Sequence, residues 1–276
     1  YEIGCGAGFS IEFLKGHGFN VTGIDPSEYS LKWSKKLGFD LFNEFFDEQS
    51  LTGKADFIYC NDVFEHVPKA DQFSKAVYAA LKHGGVFCFA TTNSTQSIRV
   101  GDISMLEHQH VNMFTERSIH LLLLNAGFRD IKVVSGSYGN TFHVVALKNE
   151  TMKQTYENSK SRECGGFFEK AHQKLIAFGN FYEKIGSSCS YYVPLRCIPY
   201  LASVGSFGEC DLYDSNLSWR GKYIDGYTRP IKSLPDLRSE VKSRFFIGSL
   251  TFHDEIKKSL KTQGIGDERI YSISSI

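Results

Sequence analysis

Residues 1–15 read YEIGCGAGFSIEFLK, and this stretch decides the fold. A short apolar strand at residues 1–3 runs into glycines at positions 4, 6 and 8, and a helix-like segment follows at residues 9–15. Glycine has no Cβ and accepts a positive φ, so the backbone of such a loop can approach a ligand closely. The N-terminus of the following helix offers free N–H groups and a positive dipole end to an anionic group. The stretch therefore predicts the opening of a nucleotide-binding α/β sheet.

The spacing of the glycines separates two kinds of nucleotide site. A dinucleotide fingerprint reads G-x-G-x-x-G, whereas Gly4, Gly6 and Gly8 form G-x-G-x-G and follow an acid, Glu2. The next predicted strand, residues 21–25 (VTGID), ends in Asp25, whose carboxylate can accept both ribose hydroxyls of a nucleoside. Together these features favour a nucleoside site over a glycine-rich turn beside an unrelated surface aspartate.

This pattern resembles motif I of the class I S-adenosylmethionine (SAM) dependent methyltransferases. Residues 61–68 (NDVFEHVP), which follow a buried strand, and residues 81–93 (LKHGGVFCFATTN) resemble two later passages of the same family. The resemblance implies a Rossmann-like α/β methyltransferase sheet, mostly parallel, with an antiparallel edge hairpin from strands 130–134 and 141–147. It also implies SAM as the cofactor. An NAD-dependent oxidoreductase is the alternative that the glycine spacing disfavours.

The resemblance also assigns cofactor contacts by position in this sequence. The expected set is Glu2, Gly4, Cys5, Gly6, Gly8, Asp25, Pro26, Asp47, Asn61 and Asp62. Within it, Asp25 would hold the ribose, and Asn61 with Asp62 would lie at the methionine end of the cofactor. Asp47 could reach the adenine amino group, although a solvated loop acid is an equally good interpretation. His66 lies close to this set, and we interpret it as structural.

Catalytic candidates come from an irregular segment, residues 91–113, on the side where parallel strands end and ligands bind. The spacing H-x-x-x-F-T from His110 to Thr115 resembles a subgroup that includes sugar C-methyltransferases, in which a Tyr-Glu-His triplet carries a basic His. Here the triplet reads His108-Gln109-His110, so only its last residue matches, and carbon methylation of a keto-sugar does not carry over. A neutral imidazole can remove a proton from a hydroxyl, an amine or an acidic carbon.

His110 and His108 are therefore the catalytic candidates, and a role in shaping the pocket wall is an equal alternative. Zinc binding through Glu107 and these two histidines would lack a fourth ligand and a recognised spacing, so no metal site is predicted.

Helix signals connect the predicted strands of the first half. Ser27 begins a helix that stops at Leu37–Gly38, and Thr115 caps a helix over residues 118–125. A third helix spans residues 71–81, with the glycine pair at 84 and 85 predicted to end it.

A polar stretch at residues 149–166 is followed by a second series of alternating predicted helices and strands. An apolar stripe first predicts a bridging helix, and its members are Phe168, Ala171, Leu175, Phe178, Tyr182 and Ile185. Strands at 209–214, 244–249 and 268–273 and helices beginning at 233 and 254 resemble the small Rossmann-like domain appended to some sugar-modifying methyltransferases and transferases. Residues 190–197 contain no glycine, so a pyrophosphate would find no close backbone cradle there.

We therefore predict a structural or substrate-presenting module, with Asp214 as a turn acid. The predicted organisation is a methyltransferase domain over 1–148, a linker and bridging helix over 149–190, and a small Rossmann-like α/β domain over 191–276.

The amino-acid composition limits the kinds of partner that the protein can bind. Among 276 residues, 31 Lys and Arg balance 31 Asp and Glu, so no basic field attracts nucleic acid, and the longest apolar run is far too short to span a bilayer. Seven scattered cysteines without a C-x-x-C pair fit a reducing cytoplasm. We expect a small-molecule acceptor, a sugar or nucleotide-linked sugar among the candidates, and a chain truncated ahead of motif I. A non-catalytic or degenerate SAM-binding scaffold is the alternative, and the oligomeric state stays open.

Overall fold

The computed structural model describes residues 1–47, 51, 54–106, 109–137, 140–149, 165–206, 210–234 and 243–276. Contacts divide the chain into two compact units, the first made of residues 1–95 and 108–160 and the second of residues 96–107 and 161–276. This division differs from the predicted boundaries, because segment 96–107 and the predicted bridging helix both group with the C-terminal part. Among the described residues, no helix has the length and apolar character needed to cross a membrane.

The first unit is built on a seven-stranded sheet with the order β3-β2-β1-β4-β5-β7-β6. Its strands are β1 (Glu2–Ile3), β2 (Gly23–Ile24), β3 (Leu41–Phe42), β4 (Ala55–Asn61), β5 (Leu81–Thr92), β6 (Arg129–Ser135) and β7 (Thr141–Leu147). Strand β1 pairs in parallel with β2 and β4, whereas β7 runs antiparallel to both β5 and β6. The predicted parallel sheet with an antiparallel edge hairpin is confirmed. An antiparallel strand inserted beside β5 also departs from the parallel 3-2-1-4-5-6 order of dinucleotide-binding folds.

Helices flank both sheets and begin and end at recognisable signals. The described helices are α1 (Phe9–Gly16), α2 (Glu28–Leu37), α3 (Ala70–Ala80), α4 (Thr95–Val100), α5 (Glu116–Ala126), α6 (Phe167–Lys184), α7 (Pro194–Ser203) and α8 (His253–Thr262). Thr115 and Ser118 form a reciprocal capping box at the start of α5, and Gly127 at φ 110° ends it, as predicted.

The predicted end of α3 is wrong. The helix stops at Ala80 and Leu81 is already extended, because Leu81 pairs with Ala55 of β4.

Aromatic packing in the first unit anchors the turn that follows β4. Phe64 is fully buried there, and its ring centroid lies 4.6 Å from that of Phe89 and 5.0 Å from that of Phe114. Burial of one such side chain contributes about 1.5–3 kcal/mol. The turn is therefore held by the core, which fixes the residues next to Phe64 at the carboxyl edge of the sheet.

The second unit contains a four-stranded sheet with the order β11-β10-β8-β9. All its pairings are parallel, between strands β8 (Cys189–Tyr192), β9 (Leu212–Tyr213), β10 (Arg244–Ile247) and β11 (Ile270–Ser272). The expected second, small α/β domain is confirmed. Helix α6 packs on this sheet through the fully buried Phe178, whose ring lies 5.3 Å from that of Phe246.

Two details of the second unit differ from the prediction or fall outside it. The apolar stripe of α6 begins with the buried Phe167, whereas Phe168 is 84% exposed. The helix predicted to begin at Ser233 falls mainly on residues 235–242, outside the described residues.

The turn from β8 into α7 has no glycine, in agreement with the sequence. Val193 turns the chain at φ 61°, and Pro194 opens the helix directly after it. A β-branched residue in the left-handed region costs about 1–2 kcal/mol. Asp214, after β9, accepts a hydrogen bond at Oδ1 from the Asn216 backbone N–H at 2.8 Å, which is the local turn expected of an Asp-Ser-Asn sequence.

Candidate cofactor and active site

The three glycines after β1 all adopt left-handed backbone angles, at φ 72°, 51° and 78°. A Cβ on Gly4 would overlap the Val63 side chain, and a Cβ on Gly8 would overlap the Phe39 ring. At Gly6 a Cβ would meet no atom within 4 Å. The outer two glycines therefore permit close packing within the protein, and the middle one borders open space that a ligand can occupy.

Asp25 ties the glycine loop to the end of β2. Its Oδ2 accepts the Gly6 N–H at 3.0 Å, and its Oδ1 accepts the Ser27 N–H at 2.9 Å and the Ser27 hydroxyl at 2.6 Å. Burial acts to raise the pKa of this carboxyl, but the hydrogen bonds from Ser27 and Gly6 outweigh burial and hold the pKa below its ordinary value. Asp25 is thus an ionised acceptor at the edge of the loop.

Asn43 is a site residue that sequence reasoning missed. Its Nδ2 donates to the backbone oxygen of Asp25 at 2.8 Å and to that of Ser27 at 3.2 Å, which joins the ends of β2 and β3. The only signal in the sequence is a polar residue directly after a short strand. Pro26 is exposed beside Asp25, and Asp47 is exposed beyond β3.

Glu2 is buried beside the loop, with 5% of its surface exposed. Burial raises the pKa of its carboxyl to about 7, opposed by a hydrogen bond from the Ser10 side chain. Its Oε2 has no hydrogen-bond partner among the described residues. The open space at Gly6, the ionised Asp25 and this unmet acceptor together suit a ligand that brings hydroxyl and ammonium donors, which is the chemistry of SAM.

The remaining predicted cofactor contacts are Cys5, in the glycine loop, and Asn61 with Asp62, at the carboxyl edge of the sheet. The Cys5 side chain is buried among apolar residues, and burial raises the pKa of its thiol to about 12, so only its backbone can face a ligand. Asn61 and Asp62 lie at the carboxyl end of β4, where the Asn61 Nδ2 donates to the Asp62 Oδ2 at 3.1 Å. Since β4 neighbours β1, this pair shares one edge of the sheet with the glycine loop and Asp25.

A second cluster forms at the 3₁₀ turn after β4, where Glu65 and His66 of the turn meet His110 from a later segment. One potential ligand atom from each of these residues lies within 4.8 Å of the others. Glu65 is 1% exposed, and its Oε2 accepts the Thr91 hydroxyl at 2.9 Å. The rings of His66 and His110 are 4.8 Å apart, with an interplanar angle of 73°. Because a carbonyl only accepts, the 2.7 Å contact between His66 Nδ1 and the Gln109 oxygen makes Nδ1 the protonated nitrogen.

Hydrogen bonds fasten the segment around His110 onto this turn. The backbone N–H groups of Val111 and Asn112 donate to the Glu65 oxygen at 3.0 and 3.1 Å. The Asn112 Nδ2 donates to the Val67 oxygen at 2.7 Å and to the Phe64 oxygen at 3.3 Å. His110 is therefore placed beside His66, a contact that the sequence did not predict. The second catalytic candidate, His108, lies outside the described residues.

Comparison with known proteins finds methyltransferases among the similar sequences. Residues 2–133 match the family model described as "Methyltransferase domain". The chain is 33% identical over 102 residues to the ubiquinone biosynthesis O-methyltransferase of Bordetella avium, covering 33% of this chain and 42% of that protein. It is 25% identical over 169 residues to the protein of the same name from Nitrosomonas europaea, covering 54% and 72%.

A SAM-dependent methyltransferase from Archaeoglobus fulgidus aligns in structure with a TM-score of 0.45 and 17% identity, over 53% of this chain and 84% of that one. The chain covers 42% of the Bordetella relative and 51% of a relative from Idiomarina loihiensis, about half of their length.

The fold and the glycine-loop site define a class I, SAM-dependent methyltransferase domain. The methyltransferase domain family model matches residues 2–133, just under half of the chain.

Proposed function

We propose that this protein transfers the methyl group of SAM to a hydroxyl of a small molecule at the carboxyl edge of the first sheet. The observation that carries the proposal is Asp25, held ionised by Ser27 and Gly6 next to the open space at Gly6. Similarity to relatives named O-methyltransferases supports oxygen as the methyl acceptor. Sugars and nucleotide-linked sugars stay among the acceptor classes, on the resemblance of the sequence to sugar-modifying enzymes.

Several residues of this chain would bind the cofactor. Asp25 would accept the ribose hydroxyls, and the backbone at Gly6 would lie against the nucleoside. Glu2 and Asp62 would offer carboxylate oxygens to the ammonium group of the methionine end, with Asn61 beside them, and Asp47 would reach the adenine. When bound, SAM supplies a methyl group that is activated by its positively charged sulfur.

The acceptor hydroxyl has to lose its proton during the transfer. Transfer would join this oxygen to the methyl carbon as the carbon–sulfur bond breaks, and it would release the hydroxyl proton. We assign His110 to helping that proton depart, because its imidazole is half-buried at the edge where the strands end. Positioning of the acceptor in line with the methyl group supplies most of the remaining rate.

The test is formation of S-adenosylhomocysteine from SAM with a panel of phenols, free sugars and nucleotide-linked sugars. We expect acceptor-dependent turnover that falls by about a hundredfold in His110→Ala, at unchanged SAM affinity. Asp25→Asn should weaken SAM binding by about tenfold or more, while the control Asp56→Asn, an exposed aspartate paired with Lys82, should behave as the wild type. SAM binding without turnover on any panel member would contradict the proposal and favour the non-catalytic scaffold.

A further inference from the structure

We propose that Glu65, His66 and His110 bind a divalent transition-metal ion of the zinc or cobalt type. These three residues form a group of metal-ligating side chains whose ligand atoms all lie within 4.8 Å of one another. Two imidazoles with one carboxylate are a ligand set that suits zinc, cobalt, nickel and iron better than magnesium or calcium. The sequence predicted no metal here, because Glu65 and His66 are far from His110 along the chain.

The burial of the Glu65 carboxyl group supports a cation at this place. Glu65 is 1% exposed, and the hydroxyl of Thr91 is the donor found on its carboxylate. Among the described residues, no lysine or arginine forms an ion pair with it. A carboxylate removed from water is unfavourable unless an opposite charge accompanies it. A metal ion held between Glu65 and the two imidazoles would supply that charge.

The surroundings orient these ligands as metal ligands are commonly oriented. Metal-bound histidines usually donate their second ring N–H to a carbonyl or carboxylate, and His66 does so to the Gln109 oxygen. That bond leaves Nε2 of His66 with a free lone pair. Thr91 fixes the Glu65 carboxylate in the same way, through a hydroxyl that donates to Oε2.

The site has to contract only slightly to close on an ion. Ligands at about 2.1 Å from a tetrahedral zinc ion are about 3.4 Å from one another. Ligand atoms within 4.8 Å therefore have at most about an ångström and a half to move. Rotation of the His110 ring can supply this movement, while the core holds Phe64, and with it the turn, in place.

Three protein ligands leave an open position on the ion, as in catalytic rather than structural zinc sites. An acceptor hydroxyl in that position would have a lowered pKa and would release its proton to solvent water near neutral pH. With the ion bound, His110 would promote loss of the proton by holding the metal, and not by accepting the proton itself. This role rests on the proposed function, whereas metal binding itself does not.

The experiment uses the full chain after treatment with a chelator, titrated with Co²⁺ and followed by its visible absorption, then by Zn²⁺ competition. We expect one equivalent of Co²⁺ to bind in a low-coordinate environment and to be displaced by Zn²⁺. His66→Ala and His110→Ala should each weaken Co²⁺ binding by about tenfold or more, and the control His83→Gln, an exposed histidine of the first unit, should not. Glu65→Gln keeps the side-chain shape and should also weaken Co²⁺ binding, and a urea unfolding curve tests whether this variant folds.

Absence of saturable Co²⁺ binding, or equal binding in the wild type and both histidine variants, would overturn the proposal. Preference for Mg²⁺ over Co²⁺ would overturn it as well. A methyl-transfer assay on the same sample, with and without the chelator, separates the two proposals. Metal binding without methyl transfer refutes the proposed function alone, and methyl transfer that is insensitive to the chelator, without Co²⁺ binding, refutes the metal site alone.

Discussion

Alanine substitutions at Gly6 and Gly8 separate ligand binding from folding within one loop. Both residues have a positive φ, so an alanine at either position carries a backbone cost of about 1–2 kcal/mol. At Gly6 this is the whole cost, because a Cβ would meet no atom within 4 Å. At Gly8 the Cβ would also overlap the Phe39 ring, and overpacking adds about 1–3 kcal/mol. Gly8→Ala should therefore lose about 2–5 kcal/mol of unfolding free energy.

The assay pairs urea unfolding with calorimetric titration of SAM. Gly6→Ala should keep most of its stability and lose about tenfold or more in SAM affinity, because its methyl group projects into the space that the ligand occupies. Gly8→Ala should show the larger fall in unfolding free energy, and a second change, Phe39→Leu, should restore part of it by removing the overlapping ring atoms. Wild-type SAM affinity in Gly6→Ala, or equal stability of the two alanine variants, would refute this reasoning.

Three other substitutions probe single interactions. The pKa of Glu2 rises from 4.5 to about 7 on folding, so the folded state binds the extra proton and wild-type stability should fall by about 3 kcal/mol as the pH rises through that interval. In Glu2→Gln this fall should disappear from urea curves at pH 5 and 8, and a persisting fall would assign it to another group. Ser27→Ala removes a donor to Asp25 and should raise the pKa of that carboxyl, as measured by NMR titration; an unchanged pKa would contradict the account. Tyr200→Phe removes the hydroxyl that donates to the buried Asp102 at 2.9 Å and should lower unfolding free energy by about 1–3 kcal/mol, so an unchanged urea midpoint would count against that bond.

Local patterns were enough to predict which residues share the carboxyl edge of the first sheet with the glycine loop. The glycine loop, Asp25 and the ends of β1, β2 and β4 come together because adjacent parallel strands place their carboxyl ends at one edge. Each of these residues lies directly after a strand that its own apolar run identifies. The role of Asn43 could not be predicted from the local sequence. Its two hydrogen bonds to the segment after β2 depend on strand pairing, which local sequence patterns do not show.

The contact between His110 and His66 could not be predicted from local sequence patterns. His110 reaches His66 through hydrogen bonds from Val111 and Asn112 to the oxygen of Glu65, which is remote along the chain. The sequence therefore grouped His110 with its neighbour His108 instead of with its spatial partners.

The most direct test of the central claim is calorimetric titration of the purified chain with SAM, with NAD as the control ligand and Asp25→Asn as the control variant. We expect saturable micromolar binding of SAM, weakened by about tenfold or more in Asp25→Asn, and no binding of NAD. Asp25→Asn removes the negative charge and replaces one of the two oxygens that accept from Gly6 and Ser27 with an NH2 donor. Binding of NAD in place of SAM, or SAM affinity that is the same in the wild type and Asp25→Asn, would contradict the central claim.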